Sequence, residues 1–343
     1  MKRQGKGLFD EEYKLRKLTM NGDPLEKLNA LIPWEIFRKP LEKALKNDEK
    51  DESKGGRPAY DAVLLFKILI LQRMYNLSDH QTEYQINDRL SFMRFLGMDL
   101  SDTVPDEKTI WLFREKITKD GIIDRLYETF QRQLMKEGVL AQNGSIVDAT
   151  FVDVPKQRNT KDENKDIKNG KTPESFGQNV TKKRQKDVDA RWMTKNKERH
   201  YGYKNHIKID KGSKLITAYT VTDAAVHDSQ ALETLLTDED ARHDLYGDSA
   251  YSGAPLAEIV KKKNIRNKIH EKGYRGKPLT AAQKERNRKK SRTRARVEHV
   301  FAFIEGTLKG SFIRCVGLVR ARLIIGLTNL CYNIRRYLTL RTA

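Results

Sequence analysis

The sequence predicts two regions of different class: an all-helical N-terminal part, residues 1–140, and an α/β part, residues 141–343, built on a mixed five-stranded sheet with helices. Three observations carry this. Apolar residues recur at helical spacing from Ala59 to Lys136, punctuated by helix-start and helix-stop residues. After Gly144 the β-branched run Ser145–Val154, SIVDATFVDV, has the composition of a central strand. Polar and apolar residues then alternate over Arg199–Asp210 and Lys214–Thr222 on either side of the turn Asp210-Lys211-Gly212-Ser213, which is a hairpin pattern.

Taken in order, Lys46–Arg57, KNDEKDESKGGR, is charged and glycine-containing and reads as an exposed connection. Ala59–Tyr75 carries Val63, Leu64, Phe66, Ile68, Leu69, Ile70 and Leu71 behind Pro58, so it is a largely buried helix. Ser78 and Gln81 make a capping box for the next helix, which runs on through Tyr84, Ile86, Leu90 and Phe95. The turn near Asn76 fits a helix-turn-helix, and fits equally an ordinary turn in a bundle. Asp106 opens a third helix, Gly121 closes it, and Ile122–Lys136 is a fourth.

In the second region, Lys156–His200 holds fourteen Lys/Arg and seven Asp/Glu with hardly a large apolar residue before Trp192. It is expected to be a polar insertion, about 156–198, that buries too little surface to order itself. Beyond the hairpin come a short helix at Asp228–Leu236, a strand at His243–Asp248, a helix at Pro255–Lys263, a short strand at Ile265–Ile269 and a long basic helix at Ala281–Leu308. Three meandering strands followed by two strands with helical crossovers describe an α/β ribonuclease-H-like core.

Charge narrows the partner. The chain has 67 Lys+Arg against 47 Asp+Glu, a net +20, and the 36 residues from Lys261 to Arg296 hold sixteen of the cations and two Glu, which is +14 of that total. Such a tract seeks a polyanion, although a charge run can also be a solvated face. The longest uncharged apolar run, Leu323–Ile334, has twelve residues, where a membrane span needs about twenty. Neither a signal peptide nor a transmembrane helix is expected. Two cysteines, Cys315 and Cys331, are too few for a disulfide framework or a cysteine zinc site, which places the chain in a reducing cytoplasm.

The topology puts Asp148, near the middle of the first strand, beside Asp248, just past the fourth, and Glu298 lies on the long helix that packs on the sheet. Three carboxylates at one sheet edge are costly without a cation, because like charges raise each other's pKa. Hard oxygen donors select Mg²⁺ or Mn²⁺, and two such ions about 4 Å apart stabilise the attacking and leaving oxygens of an in-line displacement at phosphorus. The expected chemistry is phosphodiester cleavage or transfer, with the basic tract supplying the nucleic acid.

At these residues the chain resembles the Asp-Asp-Glu transposases of bacterial insertion sequences, most closely the insertion sequence 5 group. The resemblance rests on IVDAT around Asp148, D-x-DARW and HYGYKNHIKID between Asp187 and Asp210, VHDSQ at Val226–Gln230, GDSAY around Asp248 and RxRVEHVF around Glu298. GRPAYD at Gly55–Asp61 and VPDEKT with Phe113-Arg114 resemble the helical domain of that family. It implies that Asp148, Asp248 and Glu298 are the catalytic metal ligands for two Mg²⁺ or Mn²⁺ ions. It implies also that the helical domain reads terminal inverted repeats, and that a homodimer or higher oligomer acts on paired double-stranded DNA ends in the bacterial cytoplasm, at the nucleoid. Relatives carry Tyr, Arg, Glu and Lys around the glutamate, where this chain has Ser291, Arg294, Glu298 and Glu305. Arg294, one turn from Glu298, is placed to hold a phosphate.

The remaining candidates carry plainer readings beside the functional ones. Asp153 rivals Asp148 but lies at an odd offset, on the opposite strand face. Asp223 and Asp228 are caps or ligands, with Asp228 and His227 otherwise supporting the site without touching metal. His206 and His227 are structural or general bases, and Trp192 stacks on a base or anchors the insertion. Lys289, Lys290, Arg292, Arg296 and Lys204 are expected at DNA. Lys309, eleven residues past Glu298, takes the missing lysine's role if the helix continues through Gly306. The leading function is a transposase that cleaves element ends and joins the 3′-hydroxyl to target DNA. The alternatives are an inactive or domesticated copy that only binds DNA, and a stand-alone nuclease, which leaves the helical domain unexplained.

Overall fold

A computed structural model describes residues 10–45, 59–195 and 197–342. The Lys46–Arg57 connection, Pro58 and the first residues of GRPAYD lie outside them. The chain forms two compact units, Met1–Phe130 with Tyr337–Ala343, and Gln131–Arg336.

The first unit is helical: α1 (Asp10–Met20), α2 (Pro24–Leu31), α3 (Arg38–Leu45), α4 (Ala62–Tyr75), α5 (Asp79–Asp88), α6 (Leu90–Leu96), α7 (Glu107–Lys119) and the start of α8 (Ile123–Lys136). Nine of the fourteen α4 residues are buried, because this helix has apolar side chains all round and is enclosed by its neighbours. Asp61 caps it by accepting from the amides of Val63 and Leu64 at 2.9 Å. Phe37, Phe66 and Phe130 pack with ring centroids 4.9 and 6.3 Å from Phe37. The Ser78–Gln81 capping box that opens α5 is present as read. Ser78→Ala should therefore lower stability by about 1 kcal/mol in urea titration.

The second unit is an α/β structure on a six-stranded mixed sheet: β1 (Ser145–Asp153), β2 (Arg191–Lys195), β3 (Glu198–Asp210), β4 (Ile216–Asp223), β5 (Asp244–Tyr246) and β6 (Arg266–Asn267). β3 is the spine. Its one edge pairs antiparallel with β1, and its other edge takes β2 along Glu198–Gly202 and β4 along Tyr203–Ile209. β1 pairs parallel with β5, and β5 parallel with β6. The five expected strands form the ribonuclease-H-like order, and β2 is a sixth.

That sixth strand lies in the segment expected to be a disordered polar insertion. Instead it holds α9 (Lys161–Lys168), α10 (Glu174–Gly177) and α11 (Val180–Gln185). One aromatic residue and one carboxylate account for the order. Phe176 is fully buried, and Glu163, capping α9 through Thr160, also accepts from Ser175 Oγ and Lys182 Nζ at 2.7 Å each.

On one face of the sheet Val147 joins Leu232 and Leu235 of α12 (Leu232–Leu235), Tyr251, and Val260 of α13 (Ala254–Lys262). The other face packs Val152 and Tyr203 against Ile325 of α15 (Leu318–Thr342). The twelve-residue apolar run is the buried stripe of α15. Two asparagines on it grip the sheet: Asn329 exchanges hydrogen bonds with Asn205 at 2.8 and 3.0 Å, and Asn333 with the Ile216 backbone at 2.9 and 2.8 Å. No helix among the described residues is long and apolar enough to cross a membrane.

Candidate active site

Sheet register sets the two aspartates side by side. Ile146 of β1 pairs with Tyr246, the last residue of β5; Asp148 follows two residues on within β1, and Asp248 two residues on in the loop past the end of β5. Asp148 accepts from the amide of Ala149 at 2.9 Å, and Asp248 caps a short turn by accepting from the amide of Ala250 at 2.8 Å. Gly247 permits the approach, since a Cβ there would lie 3.1 Å from Val147 Cγ2 and 3.2 Å from a Tyr251 ring carbon. Burial pushes the Asp148 carboxyl up to about 6, against the pull of the Ala149 amide and Arg294, and the Asp248 charge adds to the rise.

The third carboxylate arrives on α14 (Ala281–Ala302), which turns Val297 and Val300 into the core. Glu298 borders that stripe with its side chain 63% exposed. Arg294, one turn earlier, bridges the two elements: Nη1 donates to Asp148 Oδ2 at 2.6 Å and Nη2 to Glu298 Oε1 at 3.3 Å. Among the described residues, no group of three or more His, Cys, Asp or Glu is close enough to hold a metal ion, and two of the three expected ligands, Asp148 and Glu298, are instead bonded to Arg294.

α14 does not continue through Gly306. It widens into a π turn at Phe303–Thr307, and Lys309 sits beyond it with φ of 51°. The helical rotation that would place Lys309 on the face of Glu298 therefore does not apply. Instead the π turn brings Glu305 to β1, where its Oε1 accepts from Thr150 Oγ1 at 2.8 Å, two residues along from Asp148 on the same strand face. Ser291, where relatives have Tyr, bonds its own helix at Asn287 O, 2.9 Å away.

Several expected DNA residues are engaged inside the protein. Lys204 is buried, donating to Asp228 at 2.8 Å and to the Val226 carbonyl at 2.7 Å, so its ammonium does not face solvent. The interleaving of strand residues hides this, because β3 is covered on both faces along Lys204–Asp210. Lys290, partly buried, donates to Ile269 O at 2.9 Å, and Arg296, though exposed, donates to Lys211 O at 2.6 Å; Lys289 and Arg292 are exposed. The substitutions Lys289→Ala and Arg292→Ala together should flatten the logarithmic salt dependence of duplex binding by roughly 1.8, at about 0.9 per phosphate contact. An unchanged slope in a salt series of filter-binding measurements would put both side chains away from DNA.

The turn after β4 is capped by His227, whose Nδ1 accepts from the Ser229 amide at 3.3 Å, leaving Asp228 to Lys204. Asp223 accepts from the Ala225 amide at 2.8 Å, and Asp153 from the Tyr201 amide at 3.2 Å. Trp192 is 46% exposed on β2 beside Tyr201, with Lys156 Nζ 5.9 Å from its ring centre.

His206 is fully buried, with Nε2 2.9 Å from Thr222 Oγ1. Burial holds its pKa down at about 4, with Lys204 adding to the fall and Asp228 opposing it. The unfolded ring takes up a proton near pH 6.5 and the folded one does not, so the neutral ring's contribution is complete above that pH and is lost as pH falls toward 4. Chemical denaturation at pH 7 and pH 5 should show lower stability at pH 5, with the difference reduced in His206→Gln.

Tyr251, in the GDSAY motif, is a site residue that motif reading passed over. Its hydroxyl is buried without a hydrogen-bond partner among the described residues. Burial and the charges of Asp148, Asp228 and Asp248 hold that hydroxyl well above the usual tyrosine range. Only a fold that buries Tyr251 beside acids three, twenty-three and 103 positions away brings these charges together.

Comparison with known families finds the Transposase domain (DUF772) model over residues 13–116 and the Transposase DDE domain model over residues 140–334. Among solved structures, the chain is similar to that described as the cryo-EM structure of piggyBac transposase synaptic complex with hairpin DNA. The two share 11% identity at a TM-score of 0.45, covering 92% of this chain and 75% of that one.

Proposed function

Because the chain belongs to the Transposase DDE domain family and is a DNA transposase, we propose that Asp148, Asp248 and Glu298 hold two divalent metal ions, Mg²⁺ or Mn²⁺, and cleave the ends of an insertion sequence. The observation that carries this is that Asp148, on β1, and Asp248, just past the end of the parallel neighbour β5, each follow the register pair Ile146–Tyr246 by two residues. The donor set fits: it is all oxygen, and burial, with a smaller push from Asp248, raises the Asp148 carboxyl's pKa, so a cation there would relieve a charge that is costly to hold. Two such ions, when bound, stabilise the attacking and leaving oxygens of the displacement.

The chain's own residues then divide the remaining work. The exposed cations of α14, Lys289 and Arg292, hold the DNA backbone, and Arg294 positions a phosphate beside the carboxylates. Glu305, held by Thr150, fixes the end of α14 against β1. The helical region reads terminal inverted repeats, and the enzyme joins the freed 3′-hydroxyl to target DNA as a homodimer or higher oligomer on paired ends, in the cytoplasm.

Incubation with Mg²⁺ and duplexes carrying the sequence that flanks the gene should give nicks at the element boundary and none with EDTA. A second reading, a copy that binds DNA without cutting it, is favoured by Arg294 lying between Asp148 and Glu298 and by Ser291 and Glu305. Specific binding with no cleavage by any divalent ion would establish that reading in place of the first.

A further inference from the structure

Arg294 neutralises, in the free protein, two of the carboxylates assigned above to metal. Its Nη1 lies 2.6 Å from Asp148 and its Nη2 3.3 Å from Glu298. Its Nε is buried with no hydrogen-bond partner, so the pair of carboxylates leaves the guanidinium fork incompletely satisfied. Its side chain is still 25% exposed, on the helix that carries Lys289 and Arg292 to the surface. A guanidinium and a divalent cation on the same carboxylates repel each other, and phosphate offers the planar fork a bidentate partner of comparable strength.

From this geometry we infer that Arg294 makes metal binding conditional on DNA. In the free protein it occupies Asp148 and Glu298; a phosphate of bound duplex draws it away and leaves both carboxylates to the metal. Metal and DNA then bind with positive coupling, and the coupling is reciprocal, each tightening the other by the same factor. The inference rests on the metal-ligand reading, and the experiment separates the two.

Mn²⁺ binding, followed by loss of the free-ion electron paramagnetic resonance signal, is measured on the full chain with and without a short mixed-sequence duplex at constant ionic strength. The wild type should bind Mn²⁺ about fivefold or more tightly with duplex. Arg294→Gln should bind it tightly without duplex and gain little from adding it. In wild type, saturating Mn²⁺ should raise duplex affinity by the same factor that duplex raises Mn²⁺ affinity, a measurement that needs no variant. If Arg294→Gln binds Mn²⁺ no more tightly than wild type while Asp248→Asn abolishes binding, the metal site stands and the coupling role of Arg294 is wrong. If duplex leaves wild-type Mn²⁺ affinity unchanged, it is wrong also. If Asp248→Asn leaves Mn²⁺ binding intact, the metal-ligand reading itself fails.

Discussion

Asp148→Asn and Asp248→Asn should each lower metal-dependent cleavage of end-containing DNA by about a thousandfold or more, with Glu298→Gln joining them, while duplex binding is kept. Removing one carboxylate from a two-ion site forfeits several kcal/mol of charge stabilisation in the transition state, and about 4 kcal/mol is a thousandfold in rate. Binding should survive because Lys289 and Arg292, the cations proposed to meet phosphate, lie elsewhere, on the exposed side of α14. Asn keeps the shape of Asp, so the Ala149 and Ala250 amides retain an acceptor at either position. Gel-shift and nicking measurements on the same preparations check both halves. A variant that cuts at near wild-type rate removes that residue from the metal site.

The largest stability effect is expected at Lys208 and Asp240, a pair buried to 3% and 6% exposure with the ammonium 2.6 Å from the carboxylate. Asp240 also accepts from Ser145 Oγ at 2.8 Å and from the Thr237 amide at 2.8 Å, so it ties β1, β3 and the turn before β5 together. Asp240→Ala leaves a charged lysine without its partner inside the protein, and should cost about 3–5 kcal/mol. Replacing both, Lys208→Met with Asp240→Leu, should recover much of that loss, because no uncompensated charge remains. Urea titrations of Lys208→Met, Asp240→Leu and the double variant measure the coupling, and equal loss in Asp240→Leu and the double variant would show that the Ser145 and Thr237 contacts carry the effect instead.

Local patterns were legible wherever one residue's neighbours in sequence decide its state. The capping box at Ser78, the cap at Asp106 and the hairpin of β3 and β4 all formed as their residues indicate, whereas the helix read from Ala59 begins at Ala62 behind an Asp61 cap that the reading passed over. The insertion was misread because burial was judged by the number of apolar residues. A single Phe176, with Glu163 satisfied by three donors, ordered a segment whose composition argued for disorder. The long basic helix runs nearly to its expected end, but its last turn, Phe303–Thr307, is a π turn, and no residue of that turn announces the widening that brings Glu305 to Thr150.

The sequence by itself determined the two structural classes and the order of the strands around β1. It determined also that Asp148 and Asp248 follow neighbouring parallel strands, because strand pairing follows from topology and apolar pattern. Which cations remain free was decided only by tertiary structure. Lys204, Lys290 and Arg296 look like Lys289 and Arg292 in sequence, yet the first three donate to Asp228, Ile269 and Lys211, and Arg294 turns inward to Asp148. A long flexible cation takes whichever oxygen the fold places within its reach, and those oxygens lie between 21 and 146 residues away along the chain, beyond any local pattern.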